Sequence, residues 1–90
     1  MLPTINVTNG QVSGTIHSRS EFEWINPTNR SCVVTDVGSW CTQNTYNVPP
    51  AISPKSPGRC MATTLNVTGD FSFACPCFTL PEVPHIHVVA

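Results

Sequence analysis

Charged residues are scarce in this sequence. Four Lys and Arg residues and five Asp and Glu residues make up 10% of the 90 residues, and the formal net charge is −1. Nucleic acids and anionic membrane surfaces are bound through concentrated basic segments, so this composition argues against both kinds of partner. The sequence also lacks an apolar run long enough to span a bilayer, so we expect no membrane insertion.

The motifs of common enzymes are missing as well. The sequence contains no Gly-x-Ser-x-Gly, no phosphate-binding loop and no His-Glu-x-x-His. Its five acidic residues form no obvious pair for acid–base catalysis. A Cys–His nucleophile such as Cys77 with His85 is conceivable, but nothing in the sequence orients the pair. We therefore expect a protein that is not an enzyme.

Helical periodicity is absent too. No window places apolar residues at the i, i+3, i+4, i+7 spacing of a helix, and nine prolines interrupt the chain. Val, Ile, Thr and aromatic residues dominate, and these residues favour strands. Ninety residues leave room for one hydrophobic core, which predicts a single domain over residues 1–90. The predicted fold class is an all-β, two-sheet Greek-key sandwich of about seven short strands with almost no helix.

Alternation of apolar and polar residues locates the strands. The turn signal Thr68-Gly69-Asp70 predicts that the segments on either side of it form a β-hairpin. Gly14 interrupts a second segment and is typical of a bulge. The proline-rich stretch 48–59 cannot be a central strand, because proline lacks the backbone donor. The predicted strands are residues 4–8, 11–18, 21–25, 31–37, 62–67, 71–75 and 85–89.

Two motifs in this arrangement are typical of a known family. An early strand ends in an aromatic-x-Asn pattern, Phe22-Glu23-Trp24-Ile25-Asn26. A late segment has the form Gly-x-aromatic-x-aromatic-x-Cys, Gly69-Asp70-Phe71-Ser72-Phe73-Ala74-Cys75, and residues 85–89 then close the sheet. This order resembles the cupredoxin-like β-sandwich, and immunoglobulin-like sandwiches share much of it as the alternative.

The resemblance places three cysteines at the copper-binding end of the fold. Type 1 copper proteins use two His, one Cys and usually a weak Met ligand. Cys75 falls where the family has its Cys ligand, whereas Cys32 and Cys77 fall where histidines are expected and no Met follows. The resemblance therefore implies either a degenerate site locked by a disulfide or a thiolate-rich site for a soft ion. Copper as Cu(I) fits such ligands first and zinc second, with His85 or His87 as a possible fourth ligand.

Five cysteines in so short a chain favour an oxidising compartment, with reduced, buried thiols as the alternative. Cys41 and Cys60 flank the proline-rich loop, and a bridge between them would tie its ends together. Cys32 with Cys75 or Cys77 would join neighbouring strands. These pairings leave one thiol over, and that thiol could link two chains.

The remaining candidates concern the surface. Asn-x-Ser/Thr triplets begin at Asn6, Asn29 and Asn66, and they make these residues glycosylation candidates. His85 and His87 point to one face of the last strand, either as an exposed polar face or as a pair for Zn or Cu(II).

Residues 38–46 are ambiguous: Trp40 is expected to pack against the core, but Trp40, Tyr46 and the proline loop are also the candidates for a protein or glycan contact. Strand edges offer a route to self-association. Met1 followed by Leu2-Pro3 suggests an expression start on a mature or excised domain.

Two functional hypotheses follow. The first is a non-enzymatic, secreted or cell-surface β-sandwich module with a structural or binding role, stabilised by disulfides and without a cofactor. The alternative is a cupredoxin-like domain that binds copper or zinc through Cys32, Cys75 and Cys77, with His85 or His87.

Overall fold

The fold is all-β, as the sequence predicts. The computed structural model describes residues 2–90, which form nine short strands and no helix. Within this range no helix is long and apolar enough to cross a membrane. The strands are β1 (Thr4–Asn6), β2 (Val12–Ser13), β3 (Ile16–His17), β4 (Glu21–Asn26), β5 (Cys32–Val34), β6 (Tyr46–Val48), β7 (Gly58–Thr63), β8 (Gly69–Phe71) and β9 (Ile86–Val89).

Hydrogen bonding divides these strands into three sheets rather than the two expected. The largest has the order β2-β1-β4-β7, the second has the order β3-β9-β8, and β5 pairs with β6 alone. β1 runs parallel to β4, and β3 runs parallel to β9. All other pairs are antiparallel. The sheets share one hydrophobic cluster of buried residues.

Gly14 is the corner at which the chain changes sheets. Residues 11–18 were expected to form one strand, but β2 pairs with β1 in the four-stranded sheet and β3 pairs with β9 in another. Gly14 has a φ of +89°, which L side chains rarely adopt, and a Cβ there would lie 3.1 Å from Cβ of Pro3. The break is therefore larger than a bulge.

The expected hairpin around Thr68-Gly69-Asp70 does not form. β7 pairs with β4 over six residues, from Gly58 opposite Asn26 to Thr63 opposite Glu21. β8 pairs with β9 instead. Gly69 does adopt a positive φ of 131°, but the chain there crosses between sheets rather than folding back on itself.

Aromatic side chains fill the space between the sheets. Phe22 and Trp24 alternate with polar neighbours on β4 and are fully buried, as their spacing predicts. Trp40 stacks on Phe22 at a centroid distance of 5.8 Å, and Trp24 meets Phe73 edge to face at 5.0 Å. The indole N–H of Trp40 donates to the carbonyl of Ser72 at 3.0 Å, which ties this loop residue to the chain after β8.

Asn26, the last residue of β4, is a fully buried polar side chain with its hydrogen bonds satisfied. Its Oδ1 accepts from the backbone N–H of Thr28 at 2.9 Å and from the Thr28 hydroxyl at 2.6 Å. Its Nδ2 donates to the carbonyls of Arg30 at 2.6 Å and Pro49 at 3.0 Å. Asn26 therefore fixes the turn between β4 and β5 against the end of β6.

Replacing Asn26 should destabilise the fold much more than replacing Asn9, a half-buried asparagine with a similar turn role. Asn26→Ala leaves buried carbonyls and an N–H without partners, which costs about 2–4 kcal/mol of unfolding free energy. Asn9→Ala is the matched control, because Asn9 Oδ1 accepts only the exposed N–H of Gln11. Urea unfolding measures both variants, and equal losses would contradict the role assigned to Asn26.

Candidate functional site

A disulfide between Cys32 and Cys77 marks the candidate site. Cys32 begins β5, and Cys77 lies in the turn that follows the isolated backbone pair between Thr35 and Ala74. That pair has two hydrogen bonds, of 2.8 and 3.0 Å, which bring the 75–77 segment alongside β5. The two sulfur atoms are bonded at 2.05 Å, with the Cα atoms 5.9 Å apart. One of the two pairings expected for Cys32 is thus present.

Cys75 places a third sulfur beside this bridge. Its Sγ and those of Cys32 and Cys77 all lie within 4.8 Å of one another. The three-sulfur cluster, as we call these residues, is held compact by a tight turn in which the N–H of Phe78 donates to the carbonyl of Cys75 at 3.0 Å. Cys75 is a free thiol and is half-buried. The cluster therefore combines a bridge with an adjacent free thiol.

The environment keeps the Cys75 thiol protonated at neutral pH. Burial raises the pKa of Cys75 above its ordinary value, and the backbone N–H groups of Cys77 and Phe78 offset this rise only in part. Cys32 and Cys77 are 1% and 6% exposed. Solvent reaches the cluster through Cys75, which lines an open surface groove of about 480 Å³.

Two polar groups of the β4–β5 turn lie near Sγ of Cys32. The hydroxyl of Thr28 lies 3.6 Å from Sγ of Cys32, and the carbonyl of Arg30 lies at the same distance. Both groups belong to the turn that Asn26 fixes. The end of β4 and the three-sulfur cluster therefore form one continuous region of the fold.

The expected bridge between Cys41 and Cys60 is wrong, because both are free thiols. Cys41 pairs with Thr64, whereas Cys60 lies four residues earlier on β7, opposite Trp24. Four extended residues span about 13 Å, and a disulfide requires Cα atoms closer than about 7 Å. The chain therefore has three thiols and one bridge, not one thiol and two bridges.

The two histidines lie away from the sulfur atoms. His85 and His87 are exposed and alternate with buried Ile86 and Val88, as strand spacing predicts. Nδ1 of His87 lies 2.8 Å from a carboxylate oxygen of Asp70, and both side chains are exposed. Among the described residues, neither histidine joins the sulfur ligands. The expectation that His85 or His87 supplies a fourth metal ligand beside the three sulfur atoms is therefore wrong.

Trp40 and Tyr46 do not form an exposed binding face. They are 0% and 4% exposed and belong to the aromatic core. The expectation that Trp40 packs against the core is confirmed, whereas the use of Trp40 and Tyr46 as a contact surface is not. Different apolar side chains are exposed. The most exposed are Ile52 in the proline-rich loop, with 93% of its surface accessible, and Val83 between Pro81 and Pro84, with 62%.

The three glycosylation candidates differ in accessibility. Asn29 and Asn66 are exposed in irregular segments. Asn6 is half-buried at the end of β1, where its Oδ1 accepts from the N–H and the hydroxyl of Thr8. Asn29 and Asn66 are thus the better placed acceptors.

No model of a known protein family matches this chain, and no curated protein or solved structure matches it either. Function therefore has to be inferred from the three-sulfur cluster and its surroundings. Three sulfur atoms this close permit two chemical states. Oxidised, they form a structural bridge with a spare thiol; reduced, they offer three thiolates to a soft ion.

Loss of the bridge should weaken the fold strongly. Cys32 and Cys77 are 45 residues apart, and cross-linking a loop of that length contributes about 4 kcal/mol by the chain-entropy estimate. Denaturant unfolding of Cys32→Ala/Cys77→Ala should show a loss of this order. Cys60→Ala, which removes a half-buried thiol, is the control, with an expected loss of about 1 kcal/mol. Similar losses in both variants would mean that the bridge does not stabilise the fold.

Alkylation should distinguish the three thiols in the native protein. Cys41 is buried, which raises its pKa to about 12, so iodoacetamide should modify it only after unfolding. Cys60 and Cys75 should react first, at rates that rise about tenfold per pH unit from pH 7 to 9, because burial raises their pKa values too. Peptide mass spectrometry follows each site, with the protein in guanidinium as control. Native labelling of Cys41 as fast as Cys75 would refute this order.

Proposed function

We propose that this chain is a non-enzymatic β-module of the cell exterior, secreted or held at the cell surface, with a structural or binding role. The Cys32–Cys77 bridge is the observation that carries the proposal, because disulfides persist in oxidising compartments. Low charge and the exposed glycosylation candidates Asn29 and Asn66 support it. A protein or glycan is the partner class that fits a surface with so few charges.

We further propose a cupredoxin-like β-sandwich as the fold family, with an immunoglobulin-like sandwich as the alternative. Asn26 closes the aromatic strand β4, and Cys75 follows the aromatic residues Phe71 and Phe73. In support, two of these motif residues lie near Cys32: Asn26 fixes the turn whose Arg30 carbonyl lies 3.6 Å from Sγ of Cys32, and Sγ of Cys75 lies within 4.8 Å of it. In this proposal, the disulfide takes the place of a copper ion, since Cys32 and Cys77 stand where the family has histidines.

Thiol trapping in living cells tests the location. Cells of the organism that encodes the chain would express it with an affinity tag and be treated with a membrane-impermeant biotin ester. They would then be lysed in guanidinium with N-ethylmaleimide, so that the buried Cys41 is alkylated too. We expect biotinylated or released protein with three alkylated cysteines, and two in the Cys60→Ala control. Protein that is biotinylated only after lysis and carries five alkylated cysteines would contradict the proposal.

Binding of a soft metal ion is the second candidate function. The observation in its favour is the gathering of three Sγ atoms within 4.8 Å. Once the bridge is reduced, Cys32, Cys75 and Cys77 supply three thiolates, which suit Cu(I). Zinc prefers four ligands and is the weaker fit, because His85 and His87 lie outside the sulfur cluster.

Metal binding is tested by anaerobic titration of the reduced protein with Cu(I) against a competing chelator. The expected result is one ion per chain, with affinity lowered at least tenfold by Cys75→Ser. Cys60→Ser is the matched control and should bind as the wild type does, because Cys60 lies outside the three-sulfur cluster. Binding at no fixed ratio, or equal losses in the two variants, would exclude this function.

A further inference from the structure

We propose that Cys75 is an internal nucleophile that exchanges the Cys32–Cys77 disulfide for a Cys32–Cys75 disulfide. The proposal rests on the disulfide-stabilised state proposed above and adds a reaction to it. It concerns a thiol and a bridge that the fold holds side by side within 4.8 Å. Cys75 is half-buried rather than sealed in the core, so its side chain is not confined as that of Cys41 is.

The backbone gives Cys75 and Cys77 similar access to Cys32. The pair between Thr35 and Ala74 aligns the 74–77 segment with the end of β5, and Cys75 is the first residue after that pair. Cys77 follows after a single proline, within the same turn. A change of partner therefore requires side-chain rotation and a local adjustment of the turn, while the backbone pairing that holds the segment is kept.

The exchange balances without any other reactant. Cys75 releases its proton to solvent, and the thiolate sulfur forms a bond with Sγ of Cys32. The bond between Cys32 and Cys77 breaks, and its electron pair leaves on Sγ of Cys77, which then takes up a proton. The molecule holds one disulfide and three thiols before and after the step. Neither an oxidant nor a reductant is consumed.

Attack on Cys32 is favoured over attack on Cys77. A bridge between Cys75 and Cys77 would span only Pro76, whose ring fixes its φ, and two such close residues rarely satisfy the geometry of a disulfide. A Cys32–Cys75 bridge instead joins the same two segments as the original one. The fold is kept, and the free thiol moves two residues along the chain.

Exchange changes what the surface groove presents. Before exchange, the thiol is that of Cys75, in a groove lined by apolar residues that include Phe78, Leu80 and Val83. After exchange, the thiol is that of Cys77, whose side chain the present structure buries. The choice of bridge therefore decides whether the groove carries a free thiol.

The rate of the exchange depends on the fraction of Cys75 that is present as the thiolate. Burial raises the pKa of Cys75, and the backbone N–H groups of Cys77 and Phe78 partly oppose this. Asp36 and Glu82 are the charged residues that line the same groove, and their negative charges do not favour a thiolate. Exchange is therefore expected to be slow at neutral pH and to accelerate about tenfold per pH unit up to pH 9.

Site-resolved alkylation of the oxidised, purified protein tests the proposal. The protein is incubated between pH 6 and 9 and quenched in acid. It is then unfolded in guanidinium with N-ethylmaleimide at pH 5, so that buried thiols are labelled too, and digested without reduction. Fragmentation at Pro76 then shows whether Cys75 or Cys77 carries the label. We expect Cys77-labelled chains with a Cys32–Cys75 bridge, formed about ten times faster at pH 8.5 than at pH 7.5 and at a rate independent of protein concentration.

Two variants serve as controls. Cys60→Ser should behave as the wild type, which excludes exchange through the other half-buried thiol. Cys75→Ser should show no label at Cys32 or Cys77. Within the three-sulfur cluster, label confined to Cys75 with an intact Cys32–Cys77 bridge at every pH would overturn the proposal, as would exchange that disappears on dilution. Failure of the proposed function would look different, because the chain would then carry five thiols inside the cell.

Discussion

The Cys32–Cys77 bridge is the constraint on which this end of the molecule depends. β5 pairs only with β6, and an isolated two-stranded ribbon is marginally stable in water. The bridge and the adjacent Thr35–Ala74 pair connect this ribbon to the segment that follows β8. Because Cys75 lies on that segment, the same constraint that docks the ribbon also sets the third sulfur beside the bridge.

The aromatic core and Asn26 connect the two bridged segments to β4. Trp24 contacts Phe73 across the sheets, so the segment that carries Cys75 is packed directly on β4. Asn26 ends the same strand and fixes the turn whose groups lie against Cys32. β4 therefore contacts both segments that carry the three-sulfur cluster: Trp24 packs on Phe73, and Asn26 fixes the turn beside Cys32. These contacts hold the three cysteines in a defined arrangement.

Local patterns predicted the burial of single residues better than the pairing of strands. The alternation of Phe22 and Trp24 identified the inner face of β4, and the turn residue Gly69 does have a positive φ. The hairpin prediction failed because a turn signal does not say which strand the chain pairs with next. The Cys41–Cys60 prediction failed for a related reason. The two cysteines flank the same loop, but this does not place them opposite each other, and Cys41 pairs with Thr64, four residues after Cys60. Trp40 was ambiguous because a loop aromatic can pack inward or outward.

Disulfide mapping of the native protein tests the account most directly. Thiols would be blocked with N-ethylmaleimide at pH 6 in guanidinium, which makes the buried Cys41 accessible, and the peptides separated without reduction. We expect one cross-linked pair that contains Cys32 and Cys77, together with blocked thiols at Cys41, Cys60 and Cys75. A Cys41–Cys60 cross-link, or five blocked thiols in protein isolated from its native cells, would contradict it.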